Sequence, residues 1–151
     1  KTLHSMYAKE LFIAGDEDDL KDAVPFFEQS IGDSSRTEDE HREAACVLAR
    51  AYRICGREAD FFRLCLRDVI KEPCAEMCGE IGRYFFSKGD YSEARCWLND
   101  SIFETVPYIT ILTEGSEPLN MLAECCERTG DGESAAKYRK MAAEWELPET
   151  V

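Results

Sequence analysis

Histidine, basic charge and long apolar runs are all scarce in this chain. Its 151 residues include two histidines, His4 and His41, and 18 Lys and Arg against 31 Asp and Glu. Both histidines lie far in sequence from any cysteine cluster, which leaves little for a zinc site of mixed ligands. No Ser-His-Asp or Cys-His grouping can be read for nucleophilic catalysis. The net charge of −13 argues against nucleic acid or anionic lipid as the main partner. No apolar run approaches the ~18 residues of a membrane-spanning helix, so no membrane insertion is expected. Neither a signal-peptide pattern nor a phosphate-cradling glycine loop is visible. The run Asp16-Glu17-Asp18-Asp19 offers oxygen ligands but lacks the glycine and glutamate of a calcium loop. It reads as a solvated helix start, where negative charge meets the helix dipole. The expectation is a chain with no catalytic residue, no metal and no cofactor of its own.

Cysteine is abundant: Cys46, Cys55, Cys65, Cys74, Cys78, Cys96, Cys125 and Cys126. An even number invites a disulfide or zinc framework, but no Cys-x-x-Cys pair occurs. Cys74 and Cys78 are one helical turn apart, and the adjacent Cys125 and Cys126 point in different directions on a helix. Most of the eight fall where a helix repeat needs a small apolar side chain, so buried reduced thiols are expected. Reduced thiols point to a cytoplasmic location.

Four amphipathic segments each end in a glycine: 3–15, 44–56, 77–89 and 119–130. The glycines, Gly15, Gly56, Gly89 and Gly130, are 41, 33 and 41 residues apart. A recurrence of ~34 residues, lengthened by loop insertions, marks a helix–turn–helix solenoid. Eight helices follow from the apolar spacing, over about 3–14, 18–31, 38–54, 58–71, 74–87, 92–103, 117–128 and 132–146. Tyr7, Ala8 and Leu11 face inward on the first; Ala23, Phe26, Phe27 and Ile31 on the second; Phe61, Phe62, Leu64, Cys65, Val69 and Ile70 on the fourth. Pro25 is tolerable only near a first turn or with a kink, which puts the start of regular helix near Val24. Gly82 sits mid-helix at a cost of ~1 kcal/mol relative to Ala, for which close helix–helix approach is the usual reason. Residues 32–40 form a polar linker. The β-branched segment 104–117 is left open between a packed extended loop and a short strand. Trp145 and Leu147 are expected to close the stack before Pro148.

The alternation matches the tetratricopeptide repeat, in units of about 1–34, 42–74, 75–108 and 116–148. The best copy carries Ile81, Gly82, Phe85, Gly89, Tyr91, Ala94, Leu98 and Ser101 on signature positions, with Cys78 in place of the usual aromatic. The last matches through Leu122, Ala123, Gly130, Ala135 and Ala142. The first matches through Ala8, Leu11, Gly15, Ala23, Phe27 and Ser30; the second through Leu48, Ala49, Tyr52 and Gly56, after which it departs. More narrowly, Ala8-Lys9-Glu10-Leu11, Val24-Pro25-Phe26-Phe27-Glu28, Ala75-Glu76 and Gly89-Asp90-Tyr91 with Ala94-x-x-Trp97 resemble the tetratricopeptide region that follows the catalytic domain in family 2 glycosyltransferases of clostridial-type bacteria. The resemblance implies an all-α right-handed superhelix of about four antiparallel helix pairs in one domain, with any catalytic domain upstream. The chain opens on Lys1 rather than Met and is read as a piece of a larger protein.

In such a stack the first helix of each pair lines the concave face. Lys9, Arg50, Arg53 and Arg83 take concave positions, and Arg128 joins from the last copy. They form either a positive stripe for a carboxylate or acidic peptide, or a lattice paired with Glu43, Glu76, Glu80 and Glu124. Phe12, Ile13, Ile54 and Phe86 are expected near the same face as apolar contact points. The function implied is a non-catalytic interaction or scaffolding module that grips a protein or peptide, or its own upstream domain. A free-standing adaptor and a self-associating module are the alternatives. The site is expected in copies two and three, with the last insertion setting how open it is.

Overall fold

In the computed structural model, which describes residues 2–109 and 115–145, the chain is all-α. Among the described residues eight α-helices run in order: α1 (Leu3–Ala14), α2 (Glu17–Gly32), α3 (Glu38–Ile54), α4 (Glu58–Lys71), α5 (Ala75–Ser87), α6 (Tyr91–Asn99), α7 (Glu117–Arg128) and α8 (Gly132–Ala143). A π-helical turn, Asp100–Glu104, extends α6. No strand occurs among the described residues. None of the described helices is long and apolar enough to cross a membrane.

Local chemistry sets the helix starts. Thr2, Asp16, Thr37, Asp90 and Asp131 each accept a backbone N–H of the first turn of the helix they precede, supplying partners that the helix cannot supply itself. Asp16 with Asp19 and Thr37 with Glu40 form reciprocal capping boxes. The acidic run 16–19 is thus a helix start. Gly56, Gly89 and Gly130 end their helices at φ of 74°, 77° and 86°, where a side chain is strained. Gly15 differs, with φ −70°. A Cβ there would stand 2.6 Å from the Leu11 carbonyl oxygen, so the same residue type answers a different constraint.

At Pro25 the structure departs from the sequence reading, because α2 runs on through it from Glu17. The capping box and the burial of Leu20, Ala23, Val24 and Phe27 outweigh the hydrogen bond that proline removes. Ile70 is exposed rather than inward, and Tyr7 and Phe26 are only half-covered. The Thr105 hydroxyl donates to the Asp100 carbonyl at 2.9 Å, satisfying an acceptor at the π turn. Within 104–117 the described residues Thr105–Ile109 are irregular; residues 110–114 lie outside the described residues, as do Leu147 and Pro148. Trp145 is only partly covered.

The helices divide between two compact units. The first holds α1–α4 with Tyr108 and Ile109. Here α3 is the central helix, packed by α1, α2 and α4 around buried Ala8, Phe12, Leu20, Phe27, Leu48 and Phe61. Tyr7, Phe26, Phe27 and His4 form an aromatic cluster with ring centroids 4.9–5.6 Å apart. Tyr108 joins this unit by donating to Asp39 under the Arg42 guanidinium, 4.7 Å from the ring centroid.

The second unit holds α5–α8 and the π turn. Ala94, Leu98, Leu122, Cys125, Cys126 and Ala135 form its core. At Gly82 helices α5 and α6 touch: a Cβ would stand 2.8 Å from Leu98 Cγ and 3.2 Å from the Leu98 backbone nitrogen. Close approach is therefore the reason for this mid-helix glycine. Six cysteines are buried, Cys55 is partly covered and Cys96 is exposed; all eight are free thiols. Burial pushes the Cys78 thiol up to about 12 and that of Cys125 to about 11, which suppresses the reactive thiolate.

Candidate functional site

An open groove of about 670 Å³ lies on the second unit. α5 contributes Phe86, the start of α6 Tyr91, and α7 one face built from Glu117, Asn120, Met121, Glu124 and Arg128; Arg139 of α8 closes one side. Phe86 and Tyr91 meet edge to face at 5.5 Å, and Met121 packs partly buried on the core beneath. Two aromatic rings and a thioether make an adaptable apolar floor. Asn120 stands exposed on α7, with an amide that can both donate and accept.

Paired charges form the rim. Arg128 Nε donates to Glu124 Oε2 at 2.7 Å, and its guanidinium lies 5.1 Å from the Tyr91 centroid. Arg139 reaches Glu127 at 2.9 Å and Glu124 at 3.5 Å. The Arg128 hydrogen bond, with Arg139 behind it, holds the Glu124 carboxyl below its usual range. Arg83 lies buried beside the rim. It donates to the fully buried Glu80 at 3.4 Å and to Glu117 at 3.4 Å, and so ties a groove-lining carboxylate to a buried pair.

The structure distributes the sequence-derived residues between the two units. Phe86 and Arg128 come together in the groove, with Arg83 alongside. Lys9, Arg50, Arg53 and Phe12 belong to the first unit. There Arg50 and Phe12 meet, but as a closed latch: the Arg50 guanidinium stacks 3.9 Å from the Phe12 ring centroid and donates to the Phe12 carbonyl. That carbonyl lies in the last turn of α1, where a cation complements the helix dipole. Phe12 is buried, Ile13 exposed, and Ile54 and Arg53 partly covered; Lys9 is exposed. Of the acids expected to pair with the stripe, Glu80 and Glu124 hold arginines, and Glu43 accepts the Ser5 hydroxyl at 2.6 Å.

The first unit also contains a buried polar cluster. His4 Nε2 lies 2.9 Å from Ser30 Oγ, and Nδ1 lies 4.0 Å from Glu40. The resemblance to a catalytic triad fails on the proton. The Ser30 hydroxyl donates to the Phe26 carbonyl, so His4 Nε2 is the donor toward Ser30, and its buried Nδ1 has no hydrogen-bond partner. Ser30 itself is buried. The cluster instead docks α1 onto α3, through Thr2 on Glu40 at 3.0 Å and Ser5 on Glu43.

Tyr91, Asn120, Met121 and Arg139 are not among the site residues that sequence reasoning offers. The spacing 117, 120/121, 124, 128 on α7 repeats at three and four residues and carries a one-face signal. Arg139 carries no such signal, because it arrives by the fold-back of α8. Comparison adds no relative: no protein-family model and no curated protein matches this sequence.

Proposed function

We propose that the chain is a non-catalytic interaction module of tetratricopeptide type whose second unit binds an extended peptide. The observation that carries this reading is the groove on α5 and α7, which joins an apolar floor to an exposed amide and a charged rim. The matching ligand is a peptide with one bulky apolar side chain for Phe86, Tyr91 and Met121, beside a carboxylate for Arg128 and Arg139. Exchanging Glu124 for that carboxylate costs little, since exposed pairs contribute only about 0–1 kcal/mol. The wider reading keeps the resemblance to the region that follows family 2 glycosyltransferase domains: a cytoplasmic module serving a catalytic domain upstream.

Peptide display against the chain, followed by anisotropy titration of the selected peptides, tests the binding. Acidic peptides with an aromatic or aliphatic anchor are expected, weakened at least about tenfold by Met121→Asp and by Arg128→Glu. Selected peptides indifferent to both substitutions would remove the groove from the account. The glycosyltransferase link fails if the full-length sequence has no nucleotide-sugar-binding domain upstream.

A further inference from the structure

Two helices of the first unit present apolar stripes to solvent. On α1, Leu3 is 84% exposed, and Met6 and Ile13 are each 57% exposed. With Tyr7 and Glu10 they share one face by their spacing of three, four and seven. On α4, Ile70 is 81% and Leu66 60% exposed, and Arg63 and Arg67 lie on the same face. A surface helix normally turns its apolar stripe inward, and contiguous exposed apolar residues mark interaction sites.

The charges on the two faces are opposite. α1 carries Glu10 at the centre of its stripe and is followed by the acidic helix start 16–19, within a segment, residues 1–40, of net charge −7. α4 carries two arginines flanking its stripe. Their only ion-pair partners among the described residues are acids of α4 itself, Asp60 for Arg63 at 3.1 Å and Asp68 for Arg67 at 3.2 Å, which surface competition displaces readily. The registers also agree. Leu3 to Glu10 and Ile70 to Arg63 are each seven residues, about 10.5 Å along a helix. Laid antiparallel, Leu3 meets Ile70, Met6 and Tyr7 meet Leu66 and Arg67, and Glu10 meets Arg63.

We propose that the chain self-associates through these unlike faces, α1 of one copy packing antiparallel on α4 of another. The contact closes as a dimer where it forms twice reciprocally and grows as a chain otherwise. It is independent of the peptide groove, which lies on the other unit.

Sedimentation of the parent chain, Glu10→Arg, Arg63→Glu and the 1:1 mixture of the two variants tests this. The parent is expected to gain mass with concentration. Each variant alone is expected to associate at least about tenfold more weakly, since it places like charges opposite each other. The mixture is expected to recover association. In it the substituted α1 of one variant faces the substituted α4 of the other with the two charges exchanged, and the two unaltered faces still pair Glu10 with Arg63. Leu3→Asp and Ile70→Asp, at exposed positions, are expected to abolish association with unchanged circular dichroism. A parent that stays monomeric to about 1 mM, or a mixture that fails to recover, overturns the proposal. So does binding of anionic phosphatidylserine vesicles that depends on Arg63 without any self-association.

Discussion

Arg50 of α3 and Arg83 of α5 are read alike from the sequence, yet they do different work. Arg50 stacks on Phe12 and closes the end of α1; Arg83 is buried between Glu80 and Glu117. Sequence spacing located both cations and offered Glu80 as a partner, but Phe12 lies 38 residues from Arg50, a separation that helical periodicity does not address. His4 is the residue with a pH consequence. Burial, then the charge of Arg36, lowers its pKa from the ordinary 6.5, against the opposing pull of Glu40 and Glu43. The folded state therefore disfavours the protonated ring. As pH falls through the unfolded value of about 6.5, the unfolded chain takes up a proton that the folded chain resists, and stability falls. Glu40 acts lower on the scale: the Thr37 N–H holds its carboxyl below 4.5, so its contribution is lost only as pH falls below that range. Urea unfolding at about pH 7.5 and 5.5 checks this. The parent midpoint is expected to drop on acidification, and that of His4→Gln to drop less.

At the scale of the helix, most starts were legible because they are local. Asp16, Thr37, Asp90 and Asp131 sit directly before the residues they cap, and the glycine stops are equally local. Features that depend on a neighbouring element were not legible. α2 continues through Pro25 because its buried face compensates, and Ile70 is exposed because α4 packs on α3 with Phe61, Leu64 and Cys65. The π turn after Asn99, completed by the Thr105 hydroxyl, has no periodicity signal. Gly82 is the exception, since a mid-helix glycine suggested close helix–helix approach, which the structure places at Leu98. Gly82→Ala gains helix propensity of about 1 kcal/mol but forces Cβ to within 3.2 Å of the Leu98 backbone. Overpacking of about 1–3 kcal/mol is expected to win where backbone resists. Thermal unfolding should therefore show a lower midpoint for Gly82→Ala, and Gly82→Ala with Leu98→Ala should be no better, since removing the 2.8 Å side-chain contact also removes a fully buried leucine.

For the whole molecule, the ~34-residue recurrence made an all-α architecture legible, and the described residues form helices without a strand. The site was only half legible. Phe86 and Arg128 fall in the groove, but Lys9 and Arg50 belong to the first unit, where Arg50 stacks on Phe12. The charge of −13 is spread unevenly, with −7 in residues 1–40, and the two exposed stripes carry Glu10 on α1 and Arg63 with Arg67 on α4. The groove is the centre of the functional reading, and amide chemical-shift mapping tests it most directly. A peptide carrying one Phe flanked by Asp and Glu is titrated into isotope-labelled chain. Shifts confined to Phe86, Tyr91, Asn120, Met121 and their neighbours on α5 and α7 are the predicted result. Shifts clustered on α1–α4, or none at saturating peptide, would contradict it.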